Sequence, residues 1–182
     1  MSLLRFLGLR DRRPQGPEPE TATVRQIAAR LERLEPEAAR FLAAFAYVLA
    51  RVAHADLEIA EAEAEAMREI VRRHAGLQAD EAELVVEIAR SQVRMLGGTE
   101  NYVVTREFRR ISNREQRLRL LECLYAVAAA DGSISAPEAH EIVAVAEELG
   151  LTRAEANALR ARYRDQLSVF QKASEPESGS SG

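Results

Sequence analysis

Apolar residues recur at helical spacing through the central part of this 182-residue chain. One stripe comprises Leu118, Leu121, Tyr125 and Ala128, and a broader one runs from Phe41 to Val52. Strong helix formers dominate the composition, and only 5% of the residues are aromatic. No stretch alternates apolar and polar residues with period two between turn signals, so sheet classes are disfavoured. The pattern predicts an all-α protein.

Helix starts are marked by capping boxes, in which Ser or Thr is followed three residues later by Glu or Gln. Four candidates are Thr23 with Gln26, Ser112 with Glu115, Ser135 with Glu138, and Thr152 with Glu155. Helix stops are predicted at Glu35-Pro36, Gly76, Gly97-Gly98 and Gly150. These signals predict a compact bundle of about eight helices, at 23–34, 37–55, 60–75, 79–96, 101–111, 113–130, 136–149 and 152–170.

The chain is predicted to have three parts. Residues 1–22 form an N-terminal segment and a linker with three prolines between Asp11 and Glu20. Residues 23–170 form the helical domain, and residues 171–182 form a low-complexity tail that we expect to be disordered. The first ten residues are no convincing signal peptide. We expect these residues to be a frayed end, and the alternative is that they make a weak amphipathic contact with a membrane surface.

The overall composition indicates which kinds of ligand and which cellular compartment are expected. One cysteine, Cys123, excludes an intramolecular disulfide and fits a reducing compartment, so we expect a cytoplasmic protein. A net charge of −4 does not favour a nucleic-acid ligand. No segment reaches the roughly 20 apolar residues that cross a membrane, so no transmembrane segment is expected.

Two segments of the chain resemble each other at an offset of 75 residues. The matched pairs are Asp56 with Asp131, Ile59 with Ile134 and Glu63 with Glu138. After a slip of one residue, Gly76-Leu77 matches Gly150-Leu151. Each unit reads as helix, acidic turn, helix, Gly-Leu, helix, which predicts two pseudo-repeated helical units.

The two acidic turns also carry a family resemblance. Asp-Gly-Ser-Ile-Ser-Ala-Pro-Glu at 131–138 resembles the second signature of TerB-like (tellurite resistance protein B) domains, and 53–63 resembles the first. Residues 105–111 and 113–118 resemble the central helices of the small cytosolic branch of that family, so the resemblance spans about 24–165. It implies an all-helical bundle linked to tellurite and chemical-stress resistance, with no established enzymatic activity and with divalent-metal binding through acidic residues.

The acidic turns are therefore candidate ligands for a hard divalent cation of the Ca²⁺ or Mg²⁺ class, which binds carboxylate, hydroxyl and carbonyl oxygens. The candidates are Asp56, Glu58, Glu63, Asp131, Ser133 and Glu138. Leu57 and Ala60 replace the glycine and serine of the second turn, so a joint site would be asymmetric. The alternative is that these residues serve only as turn and cap residues.

A second candidate surface is basic. Residues 55–87 carry a net charge of −7 and residues 88–119 one of +5, which favours association with a protein partner or with a second copy. The candidate contact residues are Arg106, Arg109, Arg110 and Arg114. The alternative function is therefore a metal-free protein-interaction scaffold.

Catalytic signatures are missing from the sequence: no nucleophile has a nearby histidine, and no glycine-rich phosphate loop occurs. Cys123 lies among apolar residues and is predicted to be a buried, inert thiol. A carboxylate-pair enzyme, with Glu63 as the residue to test, is the remaining catalytic hypothesis. We expect a non-enzymatic, stress-associated module.

Overall fold

The computed structural model describes residues 19–52, 61–93 and 101–171. Eight helices of ten to 17 residues lie within them: α1 (Pro19–Leu31), α2 (Pro36–Val52), α3 (Glu61–Ala75), α4 (Ala79–Val93), α5 (Asn101–Ile111), α6 (Arg114–Ala128), α7 (Ala136–Glu148) and α8 (Arg153–Arg162). A 3₁₀ turn (Arg164–Gln166) and a short α9 (Ser168–Gln171) follow. The all-α prediction is confirmed. None of these helices is long and apolar enough to cross a bilayer.

Helix α2 lies at the centre of the bundle. Every residue from Leu42 to Ala50 is buried, because this helix is apolar on all sides and other helices surround it. It contacts α4, α5, α6 and α7. Three phenylalanines pack together between α2 and α5. The ring centroids of Phe41 and Phe108 are 5.2 Å apart, and those of Phe45 and Phe108 are 6.0 Å apart.

The helices on either side of the two turns pack in a reciprocal way. Helix α3 packs against α6, α7 packs against α2, and α2 and α6 also touch each other. Two related units arranged back to back would make these pairings. The pseudo-repeat itself stays a prediction.

Two of the four predicted capping boxes are confirmed, and two are wrong. Ser135 with Glu138 starts α7, and Thr152 with Glu155 starts α8. Helix α6 is capped one residue later than predicted, by Asn113 with Gln116, while Ser112 donates its hydroxyl to the Phe108 carbonyl of the preceding helix. Asn is as good a cap as Ser, so the local sequence allowed both registers.

The first helix begins earlier than predicted. Helix α1 starts at Pro19, inside the predicted linker 1–22, so Thr23 lies within the helix and not at its N-cap position. Proline is tolerated in the first turn, where its missing N–H would have no helical partner. The proline-rich composition therefore did not exclude a helix start there.

The predicted last helix, 152–170, is interrupted. Helix α8 ends at Arg162, and the chain turns so that Leu167 lies beside Ile134 in an isolated parallel bridge. The Ile134 N–H donates to the Gln166 carbonyl at 2.7 Å, and the Ser168 N–H donates to the Ile134 carbonyl at 3.0 Å. These two bonds attach the C-terminal segment to the second acidic turn.

Candidate functional site

The second acidic turn joins α6 to α7 and is held by its own backbone. Gly132 has a φ of +93°, which reverses the chain after α6 at low conformational cost. The Ser133 N–H donates to Asp131 Oδ1 at 3.0 Å, an Asx turn that leaves the Asp131 side chain exposed to solvent. Both backbone groups of Ile134 are bonded to the C-terminal segment, at residues 166 and 168, and this segment also holds the turn.

Glu138 has a structural task in this turn. Its Oε2 accepts from the Ser135 N–H at 2.8 Å and from the Ser135 hydroxyl at 2.6 Å. The Glu138 N–H donates in return to Ser135 Oγ at 3.3 Å. The capping interpretation of Ser135 and Glu138 therefore holds, and Asp131 is the carboxylate that points into solvent.

The first acidic turn contributes only Glu63 to the described part of the chain. Glu63 is exposed on the first turn of α3, whereas Asp56 and Glu58 lie outside the described residues. Within the described residues, no three His, Cys, Asp or Glu side chains are grouped as metal ligands. A joint cation site would need the residues of the first turn.

The four predicted contact arginines have different surroundings. Arg110 pairs with Glu107 on its own helix at 2.7 Å, and Arg114 pairs with Glu155 of α8 at 2.6 Å. Arg109 covers the end of α7, where a Cβ added to Gly150 would lie 2.6 Å from its Cζ. Arg106 is exposed and faces no acidic partner within the described residues.

The acidic stretch is also neutralised locally. Glu61 accepts from Arg68 at 3.0 Å and from Arg90 of α4 at 2.7 Å, and these two bonds lower the pKa of its carboxyl, with Arg68 the larger cause. Glu69 is paired with Arg72 and Arg73, and the bond from Arg72 lowers its pKa. The surface of α3 is therefore less negative than the count of its acids suggests.

A buried guanidinium at Arg51 was not predicted from the sequence. The Arg51 side chain is 5% exposed at the C-terminal end of α2, next to the first acidic turn. It donates to Glu141 Oε1 at 2.7 and 2.9 Å, to Glu148 Oε2 at 2.8 Å and to Thr105 Oγ1 at 2.6 Å. Burial opposes its charge, but the bonds to Glu148 and Glu141 outweigh burial and raise the Arg51 pKa. The sequence signal for its burial was its position between two apolar residues, Ala50 and Val52.

Cys123 is buried as predicted, and burial raises the pKa of its thiol. The thiolate is therefore disfavoured, which fits an inert residue. His140 is exposed on α7, and His74 Nδ1 lies 3.5 Å from Glu122 Oε1 between α3 and α6. Arg162 of α8 also binds Glu122, at 2.7 Å, so this glutamate joins three helices.

Comparisons with known proteins support the family suggested by the acidic turns. The family model for tellurite resistance protein TerB matches residues 41–161, from the second turn of α2 to the last turn of α8. Searches of curated proteins and of solved structures returned no significant match. The matched region contains both acidic turns and more than half of the chain, and the protein therefore belongs to the TerB family.

Proposed function

We propose that this protein is a non-enzymatic, tellurite-resistance-associated module that binds a divalent cation of the Ca²⁺ or Mg²⁺ class through its paired acidic turns. The observation that carries the proposal is the second turn, whose Ile134 bonds the C-terminal segment through both its N–H and its carbonyl while Asp131 faces solvent. A preorganised turn loses little conformational entropy when it binds a ligand.

The donor set of the turn fits a hard cation. Asp131, Ser133 and Glu138 offer oxygen atoms, and none of the residues 131–138 is a histidine or cysteine that would favour zinc. Glu138 has one carboxylate oxygen committed to the helix cap, so Asp131 is the first ligand to test. Asp56, Glu58 and Glu63 would complete the set from the first turn.

The test is thermal unfolding of chelator-treated protein titrated with Ca²⁺, Mg²⁺, Mn²⁺ and Zn²⁺. A ligand that binds only the folded state raises the stability by about 2.7 kcal/mol at one hundred times its dissociation constant. We expect a saturable rise in Tm with Ca²⁺ or Mg²⁺ that Asp131→Asn and Asp56→Asn each abolish. Asparagine keeps a carbonyl oxygen for the Ser133 N–H, so the first variant removes charge while preserving the turn.

The matched control is Asp80→Asn, which removes an exposed acid from the first turn of α4. It should leave the cation-dependent shift intact. Equal Tm values with and without every cation at millimolar concentration would refute cation binding.

A second candidate function, a metal-free interaction scaffold, has one specific observation in its favour. Val103 is 62% exposed on α5, and Arg106 lies one turn further along the same helix face. An apolar and a cationic side chain side by side suit an acidic, amphipathic partner surface. Arg109, Arg110 and Arg114 contribute less to this surface, because each is already engaged within the bundle.

Self-association offers the direct test of the scaffold. We expect sedimentation velocity at low salt to show a concentration-dependent complex that Arg106→Ser weakens and that a chelator leaves unchanged. Arg25→Ser, at an exposed position on α1, is the control and should have no effect. A complex insensitive to both salt and Arg106→Ser would rule out this surface.

A further inference from the structure

A groove lies between α8 and the helices α6 and α7. Its volume is about 210 Å³, and apolar side chains form its walls: Val143 and Ala146 from α7, Leu151 from the α7–α8 connection, and Ala156 from α8. No residue of α8 is buried, although both of its ends are attached to the bundle. Ala156 and Leu159 of this helix pack partly against the core, and the groove lies next to Ala156.

The corresponding place in the first unit is closed. The sequence repeat aligns Tyr125 with Ala50 and Arg160 with Val86, and both first-unit residues are fully buried at 0% exposure. Small and apolar residues at those positions allow α2 and α4 to pack together. In the second unit, a tyrosine and an arginine stand at the same positions and line the groove. The groove is therefore a property of the second unit.

The polar residues of the groove are mostly donors. Arg153, Asn157 and Arg160 lie on one face of α8 at helical spacing, and neither arginine has an acidic partner within the described residues. Tyr125 is held by the Tyr163 ring, stacked at 5.4 Å. Burial raises the pKa of Tyr125, with Arg160 opposing, so its hydroxyl remains a donor at neutral pH.

We propose that this groove binds a short-chain carboxylate, with its aliphatic part against the apolar walls and its carboxylate at Arg160, Asn157 and Tyr125. Apolar walls with a few convergent polar groups are the usual composition of a small-ligand site. The volume is below the roughly 300–1,000 Å³ that drug-sized ligands occupy, which restricts the ligand to a few carbon atoms. Glu147 is the one acid of the lining and repels the same ligand, so a single carboxylate fits better than a polyanion.

The test uses the full chain, labelled with ¹⁵N and titrated with hexanoate, with hexanamide as the uncharged analogue and with acetate as the analogue without the aliphatic part. We expect saturable amide shifts between residues 143 and 160 with hexanoate and much weaker ones with both analogues. Since a bond to a charged group contributes about 1.5–3 kcal/mol, Arg160→Met should weaken hexanoate binding by tenfold or more.

Two further variants separate the ligand contacts from folding. Tyr125→Phe removes only the hydroxyl and should weaken binding by roughly two- to tenfold, the range for a neutral donor, without altering the thermal midpoint. Glu147→Gln should tighten binding, because it removes the repelling charge. Arg106→Met, on α5, is the matched control and should bind like the unaltered protein. Equal shifts with hexanamide and hexanoate, no saturable shift, or equal losses in Arg106→Met and Arg160→Met would each overturn the proposal.

Discussion

Arg51 joins three helices through one side chain. Its guanidinium donates to Glu141 and Glu148 on α7 and to the buried Thr105 on α5, while its own backbone belongs to α2. Forked, charge-assisted bonds of this kind suit arginine, because a lysine ammonium cannot meet several acceptors in one plane. The residue therefore fixes the end of α2, from which the first acidic turn begins.

Arg51→Met should lower the free energy of unfolding by about 3 kcal/mol, because it leaves two carboxylates without their cation. This loss is at the lower end of what breaking a buried ion pair costs, because the side chains of Glu141 and Glu148 are 34% and 19% exposed. Urea unfolding gives the value. Arg51→Met combined with Glu141→Gln and Glu148→Gln should recover part of the loss, because the unpaired charges are then gone. An unaltered midpoint in Arg51→Met would show that the network contributes nothing to stability.

At the scale of an element, the second acidic turn and the first helical turn of α7 are joined by one set of hydrogen bonds. The two serines of this segment have different roles. Ser135 exchanges hydrogen bonds with Glu138, whereas Ser133 donates its backbone N–H to Asp131 within the turn. Capping therefore depends on only one of two hydroxyls placed two residues apart.

Ser135→Ala should lower the stability by about 1 kcal/mol, the usual cost of losing an N-cap. Ser133→Ala is the matched control and should change stability in the absence of cations by less than about 0.5 kcal/mol. Thermal unfolding of both variants in chelator measures the difference. Equal losses in the two variants would contradict the assignment of the cap to Ser135.

At the scale of the whole molecule, the C-terminal segment closes the fold onto the second turn. Leu167 is 2% exposed, and the backbone on either side of it holds both polar groups of Ile134. Residues more than 30 positions apart in sequence thereby become neighbours at the candidate cation site.

Truncation after Arg164 should therefore speed hydrogen exchange of the Ile134 amide and lower the thermal midpoint, because it removes Leu167 and the bonds to Ile134. Truncation after Gln171 keeps these contacts and should match the full chain in both measurements. Native-state hydrogen exchange reads the Ile134 amide directly. Unchanged exchange after the shorter truncation would show that the bridge does not hold the turn.

Local signals were sufficient for much of the fold. Helical periodicity, the Ser135 and Thr152 caps and the glycines at 76 and 150 predicted most helices, because each depends on residues within one turn of one another. The cap of α6 was misplaced because the neighbouring Ser112 and Asn113 can each begin a helix, and the start of α1 was misplaced because proline is tolerated in a first turn. The break after Arg162 was missed, because its cause is the distant Ile134.

By itself, the sequence determined the all-α class, the two acidic turns with their family resemblance, and the burial of Cys123. Only the tertiary structure decided which charges are available at the surface. Several of the arginines and glutamates that a count along the chain leaves as net charge are paired in the structure: Arg90 of α4 with Glu61 of α3, Arg110 with Glu107 on α5, and Arg114 of α6 with Glu155 of α8. The reason is that an ion pair depends on distance in space: sequence counts charges, but packing brings Arg51 to Glu141 and Arg114 to Glu155.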